Sequence, residues 1–257
     1  MPDLTIIQVS IAIFGGLIAG FINTLAGNGS AITLTILTEI LGLPGNMANG
    51  SNRVGVLFQS SISTYTFYRN DRLNLSRSSG IIIWTTIGAI VGVIVAINVS
   101  NEQFMSVFKY LMILMLVVVL VKPKRWLIET QLDKTLPFYI SAPLFFALGF
   151  YGGFIQMGMG VVFLIVMVLI AKYSIIDTNA VKVFVVFLYT IFVIAIFQYK
   201  GLIDWKLGGI IAIGQGAGGY LAAKYASTMK NANLWAYRLL ILIMVFALLK
   251  LFGAISW

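Results

Sequence analysis

The chain of 257 residues is 60% hydrophobic and only 10% charged, with a formal net charge of +9. Soluble domains are about half apolar and about a quarter charged, so this composition excludes an ordinary soluble domain and predicts an all-α polytopic membrane protein. Cysteine and histidine are both absent and only eight carboxylates are present, which removes the usual nucleophile, general base and metal ligands. We therefore expect no enzyme activity, no metal and no cofactor.

The apolar pattern predicts ten helical segments, because a membrane span needs about 20 apolar residues. They cover residues 5–26, 31–41, 47–68, 79–98, 103–121, 136–157, 161–172, 176–199, 205–225 and 234–252. The second and seventh are too short to cross the hydrocarbon, so we predict buried, broken or re-entrant helices there. Asp3 and the lack of early basic residues argue against a cleaved signal peptide before the first segment.

A basic linker over residues 122–135 divides the chain into two predicted repeats, 1–121 and 136–257, which we call the first and second halves. Most lysines and arginines lie in loops on one side of the predicted spans. The positive-inside rule places that side and the linker in the cytoplasm and both termini outside. Charges spread through short loops favour anionic lipid headgroups over nucleic acid as their partner.

The two halves share their glycine motifs. The letters GFIN at 20–23 align with GFIQ at 153–156, and GxxxG pairs occur at 16/20 and 88/92 and again at 149/153 and 214/218. Five segments in each half is an odd number, so the repeats are predicted to have opposite orientations. Inverted repeats with broken helices are typical of secondary transporters, whose site lies at the repeat interface near the midplane.

Glycines interrupt each half just before its short segment, at Gly27 and Gly29 and at Gly158 and Gly160. The helix that follows such a break begins with unpaired N–H groups and a partial positive charge, which favour an anion. The alternative is that the glycines only allow close helix packing, and we prefer it for Gly16. The same alternative is preferred for Gly88.

Arg53 and Lys182 lie within predicted spans at matching positions of the two halves. We predict Asn46 and Asp177 as the N-caps of their helices. A cation at such depth costs about 2.5–3.5 kcal/mol on insertion scales, so we predict that both bind an anion. Snorkelling to the headgroups, or pairing with Glu39 or Asp177, is the alternative. The complete predicted site consists of Asn23, Asn28, Gly29, Ser30, Asn49, Asn52, Arg53, Gln156, Gly158, Gly160, Asn179 and Lys182.

These motifs resemble those of the TauE/SafE family of sulfite and organosulfonate exporters and permeases. The chain reads GFINTLAGNGS at 20–30 and GSNR at 50–53, then GFYGGFIQMGMG at 149–160 and GLIDW at 201–205. The resemblance implies a transporter of small sulfur-containing anions in a bacterial or archaeal plasma membrane. Asn23 stands where the family often has Asp, and Arg53 replaces its usual Lys, which puts proton coupling and the exact substrate in doubt.

We therefore predict a secondary transporter that carries sulfite, sulfoacetate or another organosulfonate by alternating access. An anion channel and a transporter of a non-sulfur organic anion are the alternatives, and a structural subunit of a larger complex also stays open. The expected partners are the small anion and the lipid bilayer. A homodimer is compatible with these features.

Overall fold

The computed structural model describes residues 4–73, 75, 78–120, 137–167 and 175–225, and residues 241, 242, 245, 248, 249 and 252. This part of the chain is helical and contains no strand, as the composition predicts. The helices are α1 (Ile6–Leu25), α2 (Ser30–Thr35), α3 (Gly45–Arg69), α4 (Ser79–Ala96), α5 (Asn101–Leu120), α6 (Phe138–Phe154), α7 (Met159–Ile165), α8 (Ile175–Tyr199) and α9 (Trp205–Tyr225). The predicted linker, 122–135, and most of the tenth segment, 234–252, lie outside the described residues.

The two short segments follow breaks in the helices before them. Helix α1 ends before Gly27, whose φ of +80° is left-handed, and α6 ends before Gln156 and Gly158, with φ of +62° and +76°. Helix α2 then continues as a π-helix over Ile36–Ile40, and α7 also passes into π-helical geometry at its end. The prediction that a helix begins after each glycine break is therefore confirmed, and so is the short length of the first; residues 168–172 of the second lie outside the described residues.

The predicted N-caps of the two cation-bearing helices are wrong. Helix α3 begins at Gly45, one residue before Asn46, and the Asn46 side chain accepts a hydrogen bond from Met47 within the first turn, at 2.8 Å. The Gly45 N–H is satisfied by the side chain of Asn101 instead. Helix α8 begins at Ile175, so Asp177 lies in its first turn rather than before it.

The distribution of apolar side chains is that of a membrane protein. Helices α1 and α4 and the stretch Asp177–Tyr199 of α8 are long and apolar enough to cross a bilayer. Helix α3 is inside out, because its buried residues are largely polar whereas Phe58 and Tyr65 are 51% and 63% exposed. A helix that hides polar groups and exposes aromatic rings is suited to lipid and not to water.

The GxxxG pairs join helices from different halves. Helix α1 packs along α9, where Gly16 and Gly20 lie against the backbone of Ile211 and Gln215. Gly214 and Gly218 lie in turn against the backbone of α1. A Cβ atom at Gly20 would collide with the Gln215 carbonyl oxygen, so this approach requires a residue without a side chain.

Helices α4 and α6 pack on each other in the same way as α1 and α9. In this pair the first helix of the second half, α6, packs against a later helix of the first half, α4. Gly88 and Gly92 of α4 contact the backbone of α6, and Gly149 and Gly153 of α6 contact the backbone of α4. Close packing is therefore the role of Gly16 and Gly88, as preferred from the sequence. Helices α3 and α8 pack on each other between these two pairs, with α9 beside α3 and α4 beside α8. This packing encloses the N-terminal halves of α3 and α8, where the two cations lie.

Candidate functional site

The two helix breaks meet at one point. The Gly160 N–H donates a hydrogen bond to the Gly27 carbonyl oxygen at 3.2 Å. A Cβ atom on either glycine would collide with the Cα atom of the other. The contact uses one of the first N–H groups of α7, so that group binds the opposite break and not a ligand. The structure thus brings together the two breaks that the sequence places about 130 residues apart.

Arg53 of α3 binds the C-terminal end of α6. Its Nη1 and Nη2 atoms donate to the carbonyl oxygens of Gly152 and Gly153 at 2.8 and 2.9 Å. Nη1 also donates to the Gln156 side-chain oxygen, and Nη2 to that of Asn49 at 3.3 Å. The last carbonyl groups of a helix lack helical partners and carry a partial negative charge, so a guanidinium stabilises this end.

Lys182 of α8 makes the corresponding contact in the opposite direction. Its Nζ atom donates to the carbonyl oxygen of Thr24, in the last turn of α1, at 2.9 Å. It also donates to the side-chain oxygen of Asn179 at 2.7 Å. Each cation therefore binds the end of the broken helix of the other half and an asparagine one turn earlier on its own helix.

Both cations are removed from solvent without a buried carboxylate to balance them. Arg53 is 0% and Lys182 2% exposed, and no aspartate or glutamate is buried in the part of the chain that the structure describes. Glu39 is half-buried and Asp177 is exposed. Carbonyl oxygens solvate the two positive charges but do not neutralise them, so the interior keeps an excess of positive potential that an anion would relieve.

A small cavity of about 10 Å³ lies between the two breaks, beside Lys182. Such a volume holds about one water molecule. Its lining includes four of the predicted site residues, which are Asn23, Gln156, Gly160 and Lys182. Arg53 does not line the cavity, although Gln156 connects it to the cavity through the hydrogen bond described above.

Gln59 lines the same cavity and was not predicted. Its side chain is buried, accepts a hydrogen bond from Asn23 at 2.9 Å and donates one to the Thr24 hydroxyl at 2.7 Å. When the two halves are aligned on Arg53 and Lys182, Gln59 aligns with Leu188, which is apolar. The alignment of the repeats therefore does not indicate Gln59 as a site residue. The sequence feature that could have indicated Gln59 is an amide side chain within the same predicted span as Arg53.

Asn52 and Ser30 belong to a second, neutral polar cluster. The Asn52 side-chain oxygen accepts hydrogen bonds from Thr33 at 2.6 Å and from Gln215 at 3.2 Å. Ser30 is buried next to Thr33, and its hydroxyl has no partner among the described residues. The structure therefore separates these two predicted residues from the lining of the Lys182 cavity.

The remaining predicted residues support the breaks. Asn49 donates to the Phe154 carbonyl oxygen at 2.8 Å. Gly29 packs against α1, where a Cβ atom would collide with the Ala19 carbonyl oxygen. Gly158 precedes α7 as its N-cap in the left-handed region, and Asn28 is fully buried beside the first break. These contacts hold the backbone around the cavity and the two cations.

Comparison with known proteins gives one family profile and two relatives. The profile of the family described as "Sulfite exporter TauE/SafE" matches residues 12–251. A probable membrane transporter protein (ORF9) of Sinorhizobium sp is 26% identical over 226 residues, which cover 88% of this chain and 86% of that protein. A probable membrane transporter protein of Haemophilus influenzae is 26% identical over 227 residues, 88% of each chain. No solved structure matches the chain.

Proposed function

The chain belongs to the sulfite exporter TauE/SafE family, and on that premise we propose that it is a secondary transporter of small sulfur-containing anions across the plasma membrane. Sulfite, sulfoacetate and other organosulfonates are the proposed substrates. The observation that carries the proposal is the pair of buried cations, Arg53 and Lys182, without a buried carboxylate in the described part of the chain. The names of the two relatives as membrane transporters support a transport role over an enzymatic one.

Lys182 is the cation that we assign to the substrate. An ammonium has three N–H groups, and Thr24 and Asn179 accept two of them. The third N–H remains for an anion in the cavity that Lys182 lines. Asn23 and Gln156 line the same cavity, and their amide N–H groups can donate to the oxygens of a sulfonate or sulfite group. Gln59 also lines it, but its N–H groups bind Thr24 and Ser63.

Arg53 is a positioning residue in this proposal. Its two terminal nitrogens bind Gly152, Gly153, Gln156 and Asn49. Only its Nε–H has no hydrogen-bond partner among the described residues, and Arg53 does not line the cavity in which we place the substrate. By holding the side-chain oxygen of Gln156, it orients the Gln156 amide at the cavity. Its charge adds to the positive potential around the cavity without touching the anion.

Alternating access between two inverted repeats is the proposed mechanism. It is supported by the exchanged pairing of α1 with α9 and of α6 with α4. It is also supported by the reciprocal contacts of Arg53 and Lys182 with the broken helices of the opposite half. A cavity of about 10 Å³ is smaller than a sulfite ion, so substrate entry requires the two halves to move apart and then close.

Transport by the purified protein in proteoliposomes tests the proposal. Wild type is expected to take up labelled sulfite or sulfoacetate with saturation and counterflow. Lys182→Met keeps the length of the side chain but removes its charge, and we expect a loss of apparent affinity of about 10- to 100-fold, the value of one or two charged hydrogen bonds. Lys200→Met is the matched control, because Lys200 is exposed at the end of α8.

The outcomes separate the alternatives. Normal transport by Lys182→Met would refute the assigned site. Ohmic current without saturation would identify an anion channel, and uptake restricted to carboxylates would identify a transporter of non-sulfur organic anions. A thermal unfolding scan of each variant shows whether a loss of transport reflects a loss of folded protein.

A further inference from the structure

A second site lies at the C-terminal ends of α3 and α9 and shares no lining residue with the transport cavity. A groove of about 660 Å³ opens there between the last turns of the two helices. Arg69 and Asn70 contribute from the end of α3, and Lys224 from the end of α9. Tyr65 and Tyr220, which are 63% and 42% exposed, form its walls.

The groove has a charge that selects an anion. Arg69 and Lys224 both line it, and none of its lining residues is acidic. The Lys224 ammonium lies 5.4 Å from the ring centroid of Tyr220 and 5.4 Å from that of Tyr225. These cation–π contacts orient the ammonium at the groove. A guanidinium beside an oriented ammonium is a combination that binds phosphate oxygens.

The order of residues along the groove matches an amphipathic molecule. Arg69 and Asn70 lie at the end of α3, Tyr65 lies one turn deeper, and Ile62 lies about 10 Å below Arg69 at 1.5 Å per residue. Charged groups come first, then an aromatic ring, and then Ile62 beside Ser61, whose hydroxyl donates a hydrogen bond to the Phe58 carbonyl oxygen. This is the sequence of phosphate, glycerol and acyl chain in a phospholipid, and tyrosine is characteristic of that depth in a membrane.

We propose that this groove binds an anionic phospholipid through its phosphate group. Arg69 and Lys224 are among the basic residues that the positive-inside rule assigns to the cytoplasmic side of the membrane. The cytoplasmic leaflet is rich in anionic lipid. The groove is formed by one helix of each half, so the bound lipid contacts both. The groove and the transport cavity have no lining residue in common, and the cavity receives Gln59 and Ser60 from α3.

Thermal unfolding of the purified protein in a neutral detergent tests the proposal with three probes. Short-chain phosphatidylglycerol is expected to raise the unfolding midpoint in a saturable way, whereas phosphatidylcholine of the same chain length is expected to leave it unchanged. Inorganic phosphate at the same concentration is expected to have no effect. An equal effect of phosphatidylcholine would refute a phosphate-selective site, and an equal effect of inorganic phosphate would refute a lipid site in favour of a solute site.

Substitutions of the two basic residues test whether phosphatidylglycerol binds in this groove. Arg69→Gln and Lys224→Gln are each expected to weaken phosphatidylglycerol binding by roughly five-fold, which corresponds to about 1 kcal/mol per basic residue near a membrane surface. Lys206→Gln is the matched control, since Lys206 is an exposed lysine at the other end of α9. The three side chains are exposed, so folding in phosphatidylcholine is expected to be unchanged. Wild-type affinity for phosphatidylglycerol in the double variant Arg69→Gln/Lys224→Gln would overturn the proposal.

Discussion

The Lys182 ammonium donates a hydrogen bond to the Thr24 carbonyl oxygen at 2.9 Å and so joins the second half of the chain to the broken helix of the first. Arg53 makes the reverse connection to Gly152 and Gly153. Each half thus supplies the positive charge that stabilises the interrupted helix of the other. Any motion that opens the cavity has to keep, exchange or break these contacts.

The contact between the two breaks predicts that Gly160→Ala is severely destabilising. The new methyl group would collide with the Cα atom of Gly27, and a backbone atom cannot move aside as a flexible side chain can. Overpacking of this kind costs typically 1–3 kcal/mol. Gly209→Ala is the control, because a Cβ atom there meets nothing within 4 Å. The thermal unfolding midpoints of the two variants should differ clearly, and equal midpoints would contradict the observed contact.

The geometry at Arg53 predicts that Arg53→Lys loses stability more than transport. A lysine keeps the charge but cannot bind the carbonyl oxygens of Gly152 and Gly153 through two parallel N–H groups. We expect a loss of about 2 kcal/mol in the free energy of unfolding. Reversible unfolding in mixed micelles measures it, with the exposed Arg72→Lys as control. A stable variant with no transport would mean that Arg53 binds the substrate directly.

The position of Gln59 predicts that Gln59→Glu abolishes anion binding with little change in packing. The two side chains have almost the same shape, but a carboxylate on the lining of the Lys182 cavity would pair with the ammonium and repel an anion. Transport assays should show a loss of apparent affinity at least as large as that expected for Lys182→Met. Gln198→Glu on the exposed face of α8 should transport normally. Unchanged affinity in Gln59→Glu would exclude this cavity as the binding site.

The absence of cysteine allows a direct test of alternating access. Ser60 is buried and lines the cavity, so Ser60→Cys introduces the only thiol of the protein at the proposed site. We expect membrane-impermeant thiol reagents to label it from one side at a time, with sulfoacetate changing the rate. Simultaneous labelling from both sides would instead indicate a continuous channel.

The helices and part of the site could be predicted, because they depend on side-chain properties that can be read from the sequence. The apolar runs place α9 at the predicted residues 205–225, and the shared motifs bring Asn23, Gln156 and Lys182 to one cavity. Two of the acceptors of Arg53 could not be predicted, because they are backbone carbonyl oxygens 99 and 100 residues away. Every residue type has such an oxygen, so only the tertiary structure, which brings the end of α6 to Arg53, reveals them.

The inside-out character of α3 has a consequence for biosynthesis. Its buried face carries asparagine, serine, glutamine and Arg53, and the helices that cover this face, α8 and α9, are made only after the linker. A polar face in contact with lipid is unfavourable, so α3 is not expected to reach its final place until the second half has entered the bilayer. The first half therefore cannot complete its fold when it leaves the ribosome, and α3 is enclosed only after α8 and α9 have been made.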